Sequence, residues 1–178
     1  MYQQVLDFWF KEITPQQWWV KDKNFDQAIL TRFADIHQQA NAGELSHWRE
    51  TPQGRLAEII VLDQFSRNMF RDTPKAFASD TLALVLSQVA LQANAHKQLA
   101  KNECSFLFMP YMHSESLKVH DMALGIFEEH CSQDNYEFEI KHRDIIKQFG
   151  RYPHRNIILG RDSSSKEITF LKQPGSSF

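Results

Sequence analysis

The sequence predicts an all-α protein, and three observations carry that prediction. Apolar residues recur at helical spacing along nearly the whole chain, as in Phe25, Ile29, Phe33 and Ile36, and again in Val119, Met122, Ala123, Ile126 and Phe127. No run of alternating β-branched residues bounded by turn signals competes with that period. Helix punctuation falls where the period stops, at Asn41-Ala42-Gly43, at Gly150 with Pro153 beyond it, and at the capping box Ser164-x-x-Glu167.

The elements follow in order. Tyr2–Phe10 opens the chain, followed by a Pro15-led turn bearing Trp18 and Trp19. A second helix runs from about Phe25 to Ala40, and a short aromatic segment around Leu45 and Trp48 leads to Pro52. From Leu56 to Phe65 the string LAEIIVLDQF is apolar on nearly every face, which predicts a helix enclosed by others. Pro74 then opens a helix reaching about Ala95. Phe106–Met112 reads as an apolar approach to a helix from Ser114, its N-cap, to about Cys131. The next helix covers about Tyr136–Phe149, and a short last one stops before Pro174. Seven or eight such helices in antiparallel pairs predict a bundle or short superhelical array, without a legible repeat of about 34 residues.

Length and composition bound the function classes. At 178 residues the chain is near the ~100–150 typical of one domain, so a single domain over 1–178 is expected. Hydrophobic residues at 42% and charged residues at 24% exclude disordered and low-complexity classes. A net charge of −2 provides no basic field for nucleic acid or anionic lipid. The longest uncharged stretch, Thr81–Ala95, falls short of the ~20 apolar residues that span a bilayer. Cys104 and Cys131, 27 apart, fit neither a disulfide framework nor a zinc site. A cytoplasmic protein with reduced thiols is expected.

Charge is unevenly spread: Lys141–Arg161 holds six basic residues against Asp144 alone, a window of +5 that leaves −7 elsewhere. Four polar clusters break the helical pattern, and such breaks are where function or strain is expected. In the first, Asp63, Gln64, Arg67 and Asn68 end the central apolar helix, with Asp63 and Arg67 at i, i+4. The second is His113-Ser114-Glu115, with His113 read at a helix start, where the dipole disfavours imidazolium, and His120 on the same helix edge. In the third, His142 falls on the stripe Phe138, Ile145, Ile146 and Phe149 and should be buried, while Glu139 and Arg143 form an i, i+4 pair. The fourth places Arg151, His154 and Arg155 on an inter-helix turn, with Arg161 close behind. Guanidinium forks there suit a carboxylate or phosphate.

Glu44-x-x-His47 and Glu139-x-x-His142 match the Glu-x-x-His element of di-iron bundles, but Glu44 follows a glycine break in a short segment, and no metal is expected. Phosphate loops, nucleophile elbows and HExxH are absent, so no nucleotide, zinc or other cofactor is expected. The leading expectation is a concave site where Arg151, His154 and Arg155 converge with His113 and His142 to bind a compact anionic small molecule or a peptide carboxylate. The alternatives are an enzyme using His113 or His142 as general base and a scaffold for a protein partner.

The strings LDQFSRNMFRDTPKAFASD, FMPYMHSES, HRDIIKQFGRYPHRNIILGRDSSSKEITFL and the ending PGSSF, with VLDFWF and GELSHW, resemble in order and spacing the bacterial family called domain of unknown function 924. The resemblance covers essentially the whole chain. It implies a tetratricopeptide-repeat-like helical fold and no activity. Its characteristic polar positions correspond to Asp63, Gln64, Arg67, Asn68, Arg71, His113, Ser114, Glu115, His142, Arg143, Arg151, His154, Arg155, Asn156 and Arg161. The chain departs from the family at Ser66 and Ser165, where proline is usual, and at Tyr152, where phenylalanine is usual.

Overall fold

A computed structural model describes residues 1–177, and no strand occurs among them. Eight helical rods follow one another. Helix α1 (Tyr2–Asp7) runs on as a π-turn, Phe8–Glu12. Helix α2 (Lys23–Asn41) follows a short 3₁₀ turn. Helices α3 (Pro52–Ile60) and α4 (Ser66–Met69) are the two ends of one rod, joined by a second π-turn, Val61–Phe65. Then come α5 (Asp80–Gln92), α6 (Lys101–Met112), α7 (Leu117–His130), α8 (Gln133–Phe149) and the short α9 (Ser165–Phe170).

Local chemistry sets the ends. Asp22 caps α2 by accepting from the Asn24 and Phe25 amides, which would otherwise be orphan donors. Thr51 caps α3 in the same way, with Pro52 in its first turn. A Cβ on Gly54 would lie 2.0 Å from the Trp48 carbonyl oxygen, so only glycine lets the preceding 3₁₀ turn Ser46–Glu50 close onto α3. Gly150, at φ 70°, ends α8 in the left-handed conformation.

The α3–α4 rod is the enclosed helix that the sequence predicts. Leu56, Ile59, Ile60, Val61, Leu62 and Phe65 are fully buried, and α1, α2, α5 and α6 surround the rod. Rings interlock on its flank: Phe33 lies 4.8 Å from Phe65, and Trp9 meets Phe65 and Phe106 edge-to-face. A second small core gathers Ile145, Ile146 and Tyr152 with Phe149 and Phe170 at the C-terminal end.

Three predicted elements are redrawn. The span Pro74–Ala95 is a 3₁₀ turn, Pro74–Phe77, followed after a short turn by α5. Ser79 lies at that break and donates its hydroxyl proton to Asn41 instead of continuing a helix. Phe106–Met112 is the buried half of a full helix, α6, whose residues Cys104–Met112 are all buried, so the amphipathic signal is lost. Helix α7 starts at Leu117 after the N-cap Ser116, and Ser114 lies in the corner before it, accepting from the Ser116 amide. Among the described residues no helix is long and apolar enough to cross a membrane, and both cysteines are free and buried.

Candidate functional site

The π-turn of the central rod carries Asp63, only 1% exposed, and such turns often mark functional positions. Its Oδ1 accepts from His113 Nδ1 at 2.7 Å and lies 3.0 Å from Arg67 Nη1, while Oδ2 accepts from Gln64 Nε2 at 2.6 Å. Burial alone would raise this carboxyl's pKa. The Arg67 charge and the His113 and Gln64 hydrogen bonds outweigh it and hold Asp63 well below the usual carboxylate range. An ionised Asp63 can only accept, so His113 carries its proton on Nδ1 and a lone pair on Nε2. Burial and the Arg67 guanidinium push the His113 pKa down, against the opposing pull of Asp63.

Arg67 extends this pair into a chain of charges. Its Nη1 and Nη2 donate to both oxygens of Asp80 at 2.9 and 3.0 Å, and Asp80 Oδ2 also accepts from Arg155 Nη1 at 3.2 Å. Two carboxylates thus meet two guanidiniums beside a neutral imidazole. The Arg155 guanidinium sits 4.6 Å from the centres of both the Phe77 and Tyr152 rings, and its Nε has no hydrogen-bond partner.

This chain forms one side of a cleft of about 320 Å³ between the Pro74–Phe77 turn, α5, the α6–α7 corner and the turn after α8. Pro74, Phe77, Leu84, Pro110 and Leu159 make its apolar wall, and Asp80, Thr81, His113, Ser114, Glu115 and Arg155 its polar one. The His113 side chain is 15% exposed, and its Nε2 has no hydrogen-bond partner among the described residues.

The corner bearing His113 is clamped from behind. Three successive carbonyls at the end of α6 each accept from a buried side chain: Met112 from Tyr152 Oη at 2.5 Å, His113 from Arg155 Nη2 at 3.0 Å, and Ser114 from His120 Nε2 at 2.9 Å. His120 Nδ1 faces Glu139 Oε1 at 2.6 Å, and both side chains are wholly buried. Burial raises the Glu139 pKa, an effect only partly offset by His120.

The sequence-predicted site residues separate into three groups. Asp63, Arg67, His113, Glu115 and Arg155 are at or directly behind the cleft. His142 and His154 are packed behind it around Tyr152, and burial holds each imidazole down to a pKa of about 3. The remaining arginines hold the chain's own carboxylates: Arg143 pairs with Asp121, Arg151 with Glu167 and Arg161 with Glu115. Asn68 and Arg71 bind Asp26 on α2. Arg143 and Arg151 therefore lie outside the cleft, and the expected five-residue convergence is limited to Arg155 with His113 at the cleft itself.

Two local expectations are corrected. His113 is the C-cap of α6 and not a helix start, so burial and Arg67, not a helix dipole, lower its pKa. His120 therefore stands on a different helix from His113. Glu139 binds His120 across the α7–α8 contact and leaves Arg143 to Asp121, because a cross-helix partner reaches the buried carboxylate that a same-helix arginine pointing to solvent does not.

Sequence reasoning passed over Asp80, Glu139 as a buried acid, and Phe77, and named His120 without its buried partner Glu139. Asp80 had one available signal, an acid opening an otherwise uncharged helix. No group of three or more His, Cys, Asp or Glu side chains among the described residues is arranged to hold a metal ion.

The bacterial family described as proteins of unknown function (DUF924) matches residues 5–175. No curated protein matches the chain. A solved structure, that of the protein of unknown function ATU0120 from Agrobacterium tumefaciens, superposes with a TM-score of 0.91 at 32% identity over 96% of each chain. With helices, motif order and nearly the full length in agreement, this chain belongs to the DUF924 family of bacterial proteins.

Proposed function

We propose that the protein binds a small organic molecule in the 320 Å³ cleft, its apolar body against Phe77, Leu84 and Leu159 and its polar end at His113. One observation carries this reading: Asp80, His113, Glu115 and Arg155, up to 75 residues apart in sequence, line one cleft together with the apolar Phe77, Leu84 and Leu159. That combination of polar and apolar surface is characteristic of ligand sites. A tetratricopeptide-repeat-like array, which the family resemblance implies, would present such a cleft on its concave side. The packing of α7 between α6 and α8 supports that arrangement.

The test is a thermal-shift screen of amines, alcohols, carboxylates, phosphate and nucleotides, since a ligand of the native state raises its apparent stability. Amide-shift mapping of each hit then locates it. Hits that perturb α5 and the 113–115 corner support the reading, whereas hits confined to other surfaces, or none, reject it.

A compact anion is the second reading, favoured by the partnerless Arg155 Nε. It predicts saturable phosphate or simple-carboxylate binding that Arg155→Ala abolishes and high salt weakens. Equal heats for both proteins reject it.

A further inference from the structure

We infer that His113 is a general base in this cleft, taking a proton from a hydroxyl or a water at the polar end of a neutral or cationic substrate, with Asp63 as its positioning residue. The inference rests on the cleft being the ligand site.

Geometry makes the case first. His113 Nδ1 donates to Asp63 at 2.7 Å, and Gln64 and Arg67 fix that carboxylate in turn, so the ring has one orientation and one tautomer. His113 is one of the residues lining the cleft, and the lone pair left on its Nε2 has no partner among the described residues. His120, by contrast, has both nitrogens engaged, on Glu139 and on the Ser114 carbonyl. Among the described residues no hydroxyl or thiol hydrogen-bonds to His113 Nε2, so the proton comes from the ligand or from water.

The charges facing His113 decide the substrate class. Asp63 and Arg67 approach from the central rod, Asp80 from α5, Arg155 from the turn after α8 and His142 from α8. Among the groups lining the cleft, Asp80 and Glu115 are the more accessible charges, while Arg155 is 6% exposed and sandwiched between two rings. Both carboxylates are already paired, Asp80 with Arg67 and Arg155 and Glu115 with Arg161, and the lining Arg155 is buried, so an anion finds no accessible cation there while a neutral or positive group needs none. The lowered pKa of His113 keeps the ring in its basic form at neutral pH.

The step balances simply. The substrate O–H bond breaks, its electron pair stays on oxygen, and the proton forms a new bond to Nε2. The resulting imidazolium retains Nδ1–H, donated to Asp63, and the proton returns to solvent or product.

The experiment needs no known substrate. Two-bond ¹H–¹⁵N spectra of the full chain, labelled at histidine, report the tautomer. Diethyl pyrocarbonate reports the lone pair: Nε2 attacks a carbonyl carbon, the anhydride C–O bond breaks, the ring gives up its Nδ1 proton, and the protonated ethyl carbonate leaves as carbon dioxide and ethanol. Mass mapping resolves the eight histidines. The expected result is an Nδ1–H tautomer for His113 at about pH 8, with protonation and loss of carbethoxylation setting in at lower pH than for an exposed histidine. Asp63→Asn should slow carbethoxylation by about tenfold or more.

An Nε2–H tautomer in the wild type overturns the proposal whether or not the Asn variant folds. So does a His113 that stays unmodified while exposed His47 reacts. An Asn variant matching the wild type in tautomer and rate overturns the role of Asp63. A screening hit that still maps to the cleft in His113→Gln leaves the ligand site standing when the base fails, so the two readings separate.

Discussion

Two histidine–carboxylate pairs of nearly equal length lie on either side of the α6–α7 corner, and they are built for different ends. His113–Asp63, at 2.7 Å, has a guanidinium on its carboxylate and an open nitrogen on the cleft. His120–Glu139, at 2.6 Å, has no cation in bonding range, no exposure, and both ring nitrogens engaged, while Glu139 Oε2 has no partner. The third partner therefore decides the state of each pair. Arg67 stabilises an ionised Asp63, whereas desolvation favours a protonated Glu139 that shares its proton with His120.

Removing the third partner should have the largest effect. Arg67→Ala leaves Asp63 and Asp80 without their shared cation and should destabilise by about 3–5 kcal/mol in urea unfolding. A loss below about 0.5 kcal/mol would mean that the cation is dispensable and the contrast empty. The conservative amides come next and should behave oppositely. Asp63→Asn exchanges charge-assisted hydrogen bonds for neutral ones and should lose about 1.5–3 kcal/mol. Glu139→Gln can donate to His120 Nδ1 as a protonated Glu139 does, and should stay within about 1 kcal/mol of wild type. Equal losses at the two sites would show both acids in the same state.

Acid and alkali sharpen the same contrast. The lowered pKa of Asp63 contributes stability that is complete above the unfolded value of about 3.9 and is lost as pH falls through the folded one. The raised pKa of Glu139 contributes stability that is complete below about 4.3, its unfolded value, and is lost as pH rises through the folded one. Urea midpoints across pH should therefore show the advantage of wild type over Asp63→Asn shrinking in acid, and its standing against Glu139→Gln worsening with alkali. The smallest effect belongs to a control away from both pairs. Arg143→Ala breaks a largely exposed bridge to Asp121 and should change stability by no more than about 0.5 kcal/mol, without altering the His113 tautomer.

How far the sequence reveals these pairs depends on the range of each contact. The enclosed central helix, the α2 stripe, the α7 stripe apart from its exposed Met122, and the Asp63–Arg67 bridge are local at helical spacing and legible. A buried His142 is legible for the same reason. Asp80 is not, because its partners stand 13 and 75 residues away and its only local signal is an acid opening an otherwise uncharged helix. Helix α6 hides its true start because a helix buried on every side has no polar face to give it a period. With that boundary lost, His113 falls on the wrong end of the wrong helix. The basic window misleads through its own abundance: most of its arginines neutralise acids of the same chain, which composition alone cannot reveal.

The clamp of three carbonyls also determines how a molecule can enter. Tyr152, Arg155 and His120 tie Met112, His113 and Ser114 to two other parts of the fold, so amide hydrogens around this corner should exchange as slowly as those of the core. The apolar groups of the cleft adjoin this clamp: Phe77, on the Pro74–Phe77 turn, lies 4.6 Å from the Arg155 guanidinium, and the Leu159 amide donates to the Arg155 carbonyl. A molecule entering the cleft therefore meets a His113 corner that is already fixed. A guest would find its polar contacts already arranged and would lose little further freedom of the host in meeting them.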